Sequence, residues 1–307
     1  ARQVSSKARF SRLNKLRSAS SSSKGDKTNS LLATKELLSS AGISAKRLDR
    51  VMEHVALGMP TNASKSSPEN FLLARNQYVL SYSKTRKTPN WVSWTMRFSD
   101  LSGTSRHDSF RADVTIPKGW GRATDLDYAG SGYTRGHIVA SSERLSDKRS
   151  NSKTFVLTNV LPQLQANNGG PWLHMENFYR DQVSQHNMDV YIIAGGLYEG
   201  PKKTIGANKI AVPSATWKVA VLVERGKGLE GVSATSRVVS IIVPNELGKV
   251  SIKQPFTDFR VSPREIQRRA GVELFAGLPK AIRTKLLDHV DTEVVPDKFK
   301  QLKAKKP

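Results

Sequence analysis

The sequence predicts an α+β protein with a mixed, largely antiparallel central sheet flanked by helices. Two observations carry this. Segments 78–82, 91–96, 190–194, 217–223 and 238–243 are short and rich in β-branched and aromatic residues. Helical patterns gather in separate blocks instead of alternating one for one with the strands.

The elements follow in order. Residues 1–29 are polar and basic, with a serine run at 18–23, and read as a disordered arm. Residues 30–60 read as a helical hairpin. Ser30 caps a helix over 31–41 that stops at Gly42. Ser44 caps a second, which ends at Gly58 with Pro60 beyond. Its apolar stripe of Leu48, Val51, Met52 and Val55 needs a partner, so the hairpin is expected to dock on the main domain or to pair with another chain. A main domain over 61–290 begins with strand-like character at Phe71. A Gly-rich loop at 129–132 leads to His137 on a turn, and 172–183 forms the principal helix. Helices over 263–270 and 279–289 follow, and 291–307 reads as a Lys-rich tail.

The formal net charge of +23 in 307 residues points to a polyanion, nucleic acid before an anionic membrane surface. Residues 1–50 hold twelve Lys/Arg against three acids, so the arm is expected to add phosphate contacts. There is no cysteine, which excludes disulfides, thiolate metal sites and Cys nucleophiles. No His-Glu-x-x-His motif is present, which argues against a zinc hydrolase. No apolar run reaches the ~20 residues of a membrane helix, so membrane insertion is not expected.

Chemistry concentrates at His137, which follows Gly136 and can take a proton from water near neutral pH. Asn168, Trp172, Glu176 and Arg180 recur every four residues and share a helical face. One reading makes Asn168 an N-cap, Trp172 core, and Glu176 with Arg180 a solvated ion pair. The other makes Asn168 an amide ligand for a hard cation that keeps most of its waters.

The ordered motifs Gly-Tyr-Thr-Arg-Gly-His (132–137), Thr-Asn-Val-Leu-Pro-Gln (158–163) and Asn168-x3-Trp172-x3-Glu176-x3-Arg180 resemble the DNA/RNA non-specific endonucleases. These are the ββα-metal, or His-Me finger, nucleases. The resemblance runs over roughly 54–280 and is greatest to secreted cyanobacterial members. It implies a ββα-metal motif with His137 as general base and Asn168 as direct ligand of one Mg²⁺, for which Mn²⁺ can substitute. It makes Glu176 a partner of metal-bound water and Arg106 and Arg180 the phosphate-binding arginines, with Arg111 the alternative to Arg106. Asn159 is then the amide that positions His137. The implied products carry 5′-phosphate ends and the implied substrates are DNA and RNA. A proteinaceous inhibitor and a homodimer are compatible with it, and so is a secreted or periplasmic location after loss of a leader. Thr134 stands where the family has Asp, a position that supports the hydrated metal. An alternative follows from that departure: a nucleic-acid-binding protein of the same fold with reduced or lost turnover.

Overall fold

The computed structural model describes residues 32–40, 42–107 and 109–296. The arm at 1–29, the Ser30 cap and the tail beyond 296 lie outside these residues. Among the described residues ten strands form: β1 (Phe71–Ala74), β2 (Val79–Ser83), β3 (Thr88–Met96), β4 (Thr134–His137), β5 (Val160–Gln163), β6 (Met188–Leu197), β7 (Lys203–Ile205), β8 (Ile210–Val212), β9 (Ala215–Glu224) and β10 (Val238–Pro244). Six make one sheet in the order β1-β2-β3-β6-β9-β10, with every adjacent pair antiparallel. Parallel pairing is confined to isolated bridges such as Arg111 with Val156. The pairs β4-β5 and β7-β8 stand apart from the main sheet.

The central strands are apolar on both faces. Side chains alternate along a strand, so Val190, Ile192 and Ala194 of β6 join one core, while Tyr191 and Ile193 join another. The first core is closed by Trp172, Met175, Phe178 and Val183. The second is closed by helices α1 (residues 32–40), α2 (Ala45–His54), α6 (Pro263–Ala270) and α7 (Lys280–Asp288). Helices therefore cover both faces of one sheet.

The hairpin docks as its stripe requires. Leu48, Val51 and Val55 are buried and Met52 is half-buried against the second core. Ser44 occupies the N-cap position but its side chain makes no capping bond, contrary to expectation. A cap is worth ~1 kcal/mol, and burying each of three aliphatic side chains is worth about 1.5–3 kcal/mol. Packing dominates, so the helix forms without the cap. Its other end is finished by the sheet: the Ser93 and Thr95 hydroxyls of β3 donate to the carbonyls of His54 and Glu53. The helix stops at His54, before Gly58. The C-terminal tail also begins later than expected. Asp291 is buried and paired with Arg237 and Arg260, and Val295 is buried in the first core. An ion pair holds the chain here, a signal that a Lys-rich composition hides.

His54 locks α2 to the sheet. Its Nε2 donates to the Asn76 carbonyl at 2.9 Å, and its Nδ1 accepts from the Thr95 amide at 3.2 Å. Both bonds suit the neutral ring. Burial first, then the Arg144 charge, lowers its pKa from 6.5 to about 3. The folded state thus resists a proton that the unfolded chain accepts below pH 6.5. The stability from this group is present above that pH and is lost on acidification toward pH 3. Between pH 7 and 5 the parent is expected to lose roughly 2 kcal/mol through His54. His54→Gln should lose that much less over the same window, as read by urea unfolding at each pH. An identical pH slope in the two proteins would show that His54 does not carry the effect.

Candidate active site

The site is built on the β4-β5 pair and the helix after it. Thr134 faces Gln163 and His137 faces Val160 in register. His137 therefore closes a short strand; the turn expected there lies earlier, at Gly130 and Gly132, both at positive φ. Gly136 is required for a local reason: a Cβ there would stand 1.6 Å from Gln163 Oε1. The Gln163 side chain crosses that space and donates to Asn167 Oδ1.

After β5 the chain runs through α4 (Gln165–Asn167), a wide π-type turn at Asn168–Trp172 and helix α5 (Leu173–Gln185). Asn168 is thus inside a nearly continuous helical path, not at the N-cap expected from Gly-Gly-Pro. The reason is local. Gly170 leaves helical geometry at φ −108°, ψ −118°, with Ile252 so close that a Cβ would lie 2.8 Å from its Cα. Such bulges widen the turn and re-aim the side chains beside it.

Thr104, Arg106, Thr134, Arg135, His137, Asn168 and Glu176 line one cavity of about 570 Å³ with Ser141 and Ser142. His137 is flanked by Phe110, tilted 40° to it, and by Phe155, edge-on at 85°, with ring centroids 4.8 and 4.9 Å away. Burial first, then the charges of Arg106 and Arg135, lowers its pKa to about 3. The ring is neutral at physiological pH, and its Nε2 has no hydrogen-bond partner. Trp172 Nε1 donates to the His137 carbonyl at 3.2 Å, tying α5 to β4.

Thr134 has a defined task. Its hydroxyl donates to the Gln163 carbonyl at 2.9 Å and accepts from Asn168 Nδ2 at 3.0 Å. The Asn168 amide is oriented by its nitrogen, which leaves its oxygen available to a ligand. Asn159 does not line the cavity. It is fully buried, and its amide clamps both backbone groups of Val139 and the carbonyl of Thr154. It shapes the backbone just after His137. Arg106 reaches the cavity and donates to Ser141 Oγ, whereas Arg111 turns away to Ser109 and Ser152. Arg180 stands behind the wall, donating to Ser142 Oγ at 2.8 Å.

Glu176 and Arg180 do not form a solvated pair. Glu176 is nearly buried, and its carboxylate accepts from Lys218 Nζ at 3.4 Å. Lys218 is fully buried, with its ammonium 3.9 Å from the centre of the Trp172 ring. Burial holds this lysine below the usual range. Beside it, burial pushes the Glu143 carboxyl up to about 7, against the pull of Lys218. Glu143 accepts from Trp94 Nε1 at 2.8 Å. Sequence reading assigned no role to Lys218, Glu143, Arg135 or the two phenylalanines. For Lys218 a signal existed: period two places it on the same face of β9 as Ala220 and Leu222, a core face.

Among the described residues no cluster of three or more His, Asp or Glu side chains is arranged to hold a metal. The donors in the cavity fit a hard, largely hydrated cation: an amide oxygen from Asn168 and carboxylate oxygen from Glu176. Removing one partner of a buried pair leaves an uncompensated charge, at a cost of about 3–5 kcal/mol. Lys218→Met should lose that order of stability in urea unfolding at pH 7. Adding Glu176→Gln should restore part of the loss. Equal stability for the parent and the single variant would deny the pair a structural role.

Similarity to known proteins shows the family. The chain is 37% identical over 244 residues to a protein named Nuclease from Nostoc sp., covering 78% of this chain and 86% of that one. It is 30% identical over 213 residues to human mitochondrial Endonuclease G, covering 66% and 68%. It is 28% identical to human mitochondrial Nuclease EXOG over 227 residues, 70% of this chain but only 60% of that one. Its fold matches EndoG in a crystal structure of the EndoG/EndoGI complex, with a TM-score of 0.63, 26% identity, and coverage of 75% and 92%. The profile of the DNA/RNA non-specific endonucleases spans residues 58–281, and the chain belongs to that family.

Proposed function

We propose that the protein is a sugar-non-specific endonuclease that hydrolyses phosphodiester bonds of DNA and RNA and leaves 5′-phosphate ends. One observation carries the reading: a neutral imidazole shares a single cavity with an amide oxygen, a carboxylate and two arginines. In this reading His137 removes a proton from the attacking water, as a neutral base can throughout the physiological range. The Phe110 and Phe155 rings pack against the imidazole at an angle and edge-on, which supports its burial. Asn168, with Glu176 beside it, would hold a divalent cation such as Mg²⁺ or Mn²⁺. A divalent cation supplies polarisation of the scissile phosphate and stabilisation of the leaving 3′-oxygen. Arg106 and Arg135 offer donors from the wall to the charge that builds on the phosphoryl oxygens, with Arg180 steadying that wall through Ser142. Phosphate contacts carry little sequence information, in keeping with non-specific cleavage. Residence outside the cytoplasm is part of the proposal and rests on family resemblance alone.

Thr134 keeps a second reading alive, that of a nucleic-acid binder with reduced or lost turnover. Its hydroxyl preserves the hydrogen bonds to Gln163 and Asn168 but brings no charge toward a cation. Incubation with plasmid DNA and with RNA, in Mg²⁺ and in EDTA, separates the two. The enzyme degrades both only with the cation, and the binder degrades neither.

His137→Ala should lower the cleavage rate by at least a thousandfold with DNA binding preserved. Asn168→Ala should weaken activity and raise the Mg²⁺ concentration needed for half-maximal rate. Cleavage by the His137 variant within tenfold of the parent would remove the base from this reading. Thr134→Asp should bind Mg²⁺ more tightly and cleave at least as fast. A tenfold loss there would mean that the Asn168 orientation depends on a neutral hydroxyl.

A further inference from the structure

A second large cavity lies apart from the candidate active site. It holds about 720 Å³ and lies between α2, β1 and α3 (Lys148–Thr154). Its lining is basic and contains no acid. Lys46, Arg47 and Arg50 enter from α2 and its first turn, Lys65 and Arg75 from around β1, and Arg149 and Lys153 from α3. Among the described residues only Arg75 has a salt-bridge partner, Asp113. Arg47 is committed to Asn76 and the Ala74 carbonyl. Among the described residues no salt bridge is made by Lys46, Arg50, Lys65, Arg149 or Lys153. Burial first, then the Arg75 charge, holds the Lys65 and Lys153 ammonium groups below the usual lysine range, with the nearby Asp113 carboxylate, already paired to Arg75, offsetting only part of this.

Folding has no use for such an arrangement. Like charges in a concave wall repel one another, and concavity focuses their field. An anion with several charges in a row would complement such a wall. The cavity volume is that of a ligand site, and its lining contains no aromatic ring on which a base could stack. It suits a sugar-phosphate backbone, read by charge alone.

Its place relative to the active site gives it a use. Arg149 and Lys153 lie one helical turn apart on α3 and face this cavity. Asn151, about 200° around the helix from Arg149, accepts from the His107 amide and donates to the carbonyl of Ser141, which lines the active-site cavity. The same short helix borders both. We propose that this cavity is a second phosphate-binding site that holds nucleic-acid backbone outside the catalytic centre. This rests on the nucleic-acid substrate inferred above.

The test uses the full chain with His137→Ala, so that substrate survives, and a labelled 30-base-pair duplex titrated at several salt concentrations. Lys46→Ser/Arg50→Ser/Arg149→Ser, all exposed positions, removes three cavity charges. Lys227→Ser/Lys280→Ser/Lys285→Ser removes three exposed charges elsewhere. The cavity triple should weaken binding tenfold or more near 100 mM salt. It should also lower the slope of log affinity against log salt by about 2–3, at roughly 0.9 per lost contact, with the control triple near the parent. Equal losses in both triples would overturn the site, since net charge alone would then explain binding. In competition at matched ionic strength, a short oligonucleotide should displace the duplex far better than inorganic phosphate; equal displacement would reduce the site to a single-phosphate pocket. Loss of binding to phosphatidylglycerol vesicles in the cavity triple, with the duplex slope unchanged, would assign the cavity to lipid and overturn the proposal. Plasmid cleavage by the chain with His137 intact runs alongside. Failure there with a lowered slope in the cavity triple refutes the nuclease reading and leaves the second site standing. Cleavage with an unchanged slope does the reverse.

Discussion

The structure depends on a sheet that is apolar on both faces. Strands β6 and β9 cannot meet water on either side, so both layers of helices are obligatory. One layer, α5, borders the candidate site: Trp172, just before it, is buried in the core while Glu176 reaches the cavity. The other layer, made of the N-terminal hairpin with α6 and α7, makes the first layer possible by sealing the opposite face. At ~25 cal/mol per Å² of apolar surface, an uncovered face would cost far more than the caps and surface ion pairs contribute. The ends of the described chain are thereby recruited to a core that serves a site in its middle.

Much of this was legible in the sequence. Long strands such as 190–194 and 217–223 announce themselves because β-branched runs have few other uses, and the Ser262-Pro263 start and Gly271 stop of α6 are local signals. Strands β4, β5, β7 and β8 were not legible. They are three or four residues long, and tertiary pairing, not composition, defines them. The π-type turn at Asn168 was hidden for the same reason: it depends on Ile252, more than eighty residues away.

The site divides in the same manner. His137, Asn168 and Glu176 were singled out from motif and spacing and Arg106 from family resemblance, and all four line one cavity. Asn159 and Arg180 were also found, yet they stand behind the wall. Spacing places a residue near a site without saying which side of the wall it occupies. The partner of Glu176 was misread because helical spacing favours the neighbour at i+4, whereas Lys218 arrives from a strand forty-two residues on. A buried carboxylate takes the cation that is buried with it.

The Lys218 ammonium lies 3.9 Å from the centre of Trp172 and 5.9 Å from that of Trp94. Both indoles are fully buried, as are Trp91 and Trp217. A nearby charge shifts the energy of an indole excited state according to which end of the ring it approaches. Two of the chain's five tryptophans therefore sense the charge behind the wall of the candidate site. Since Trp172 also donates to the His137 carbonyl, the protein's own emission reports on the wall of the candidate site.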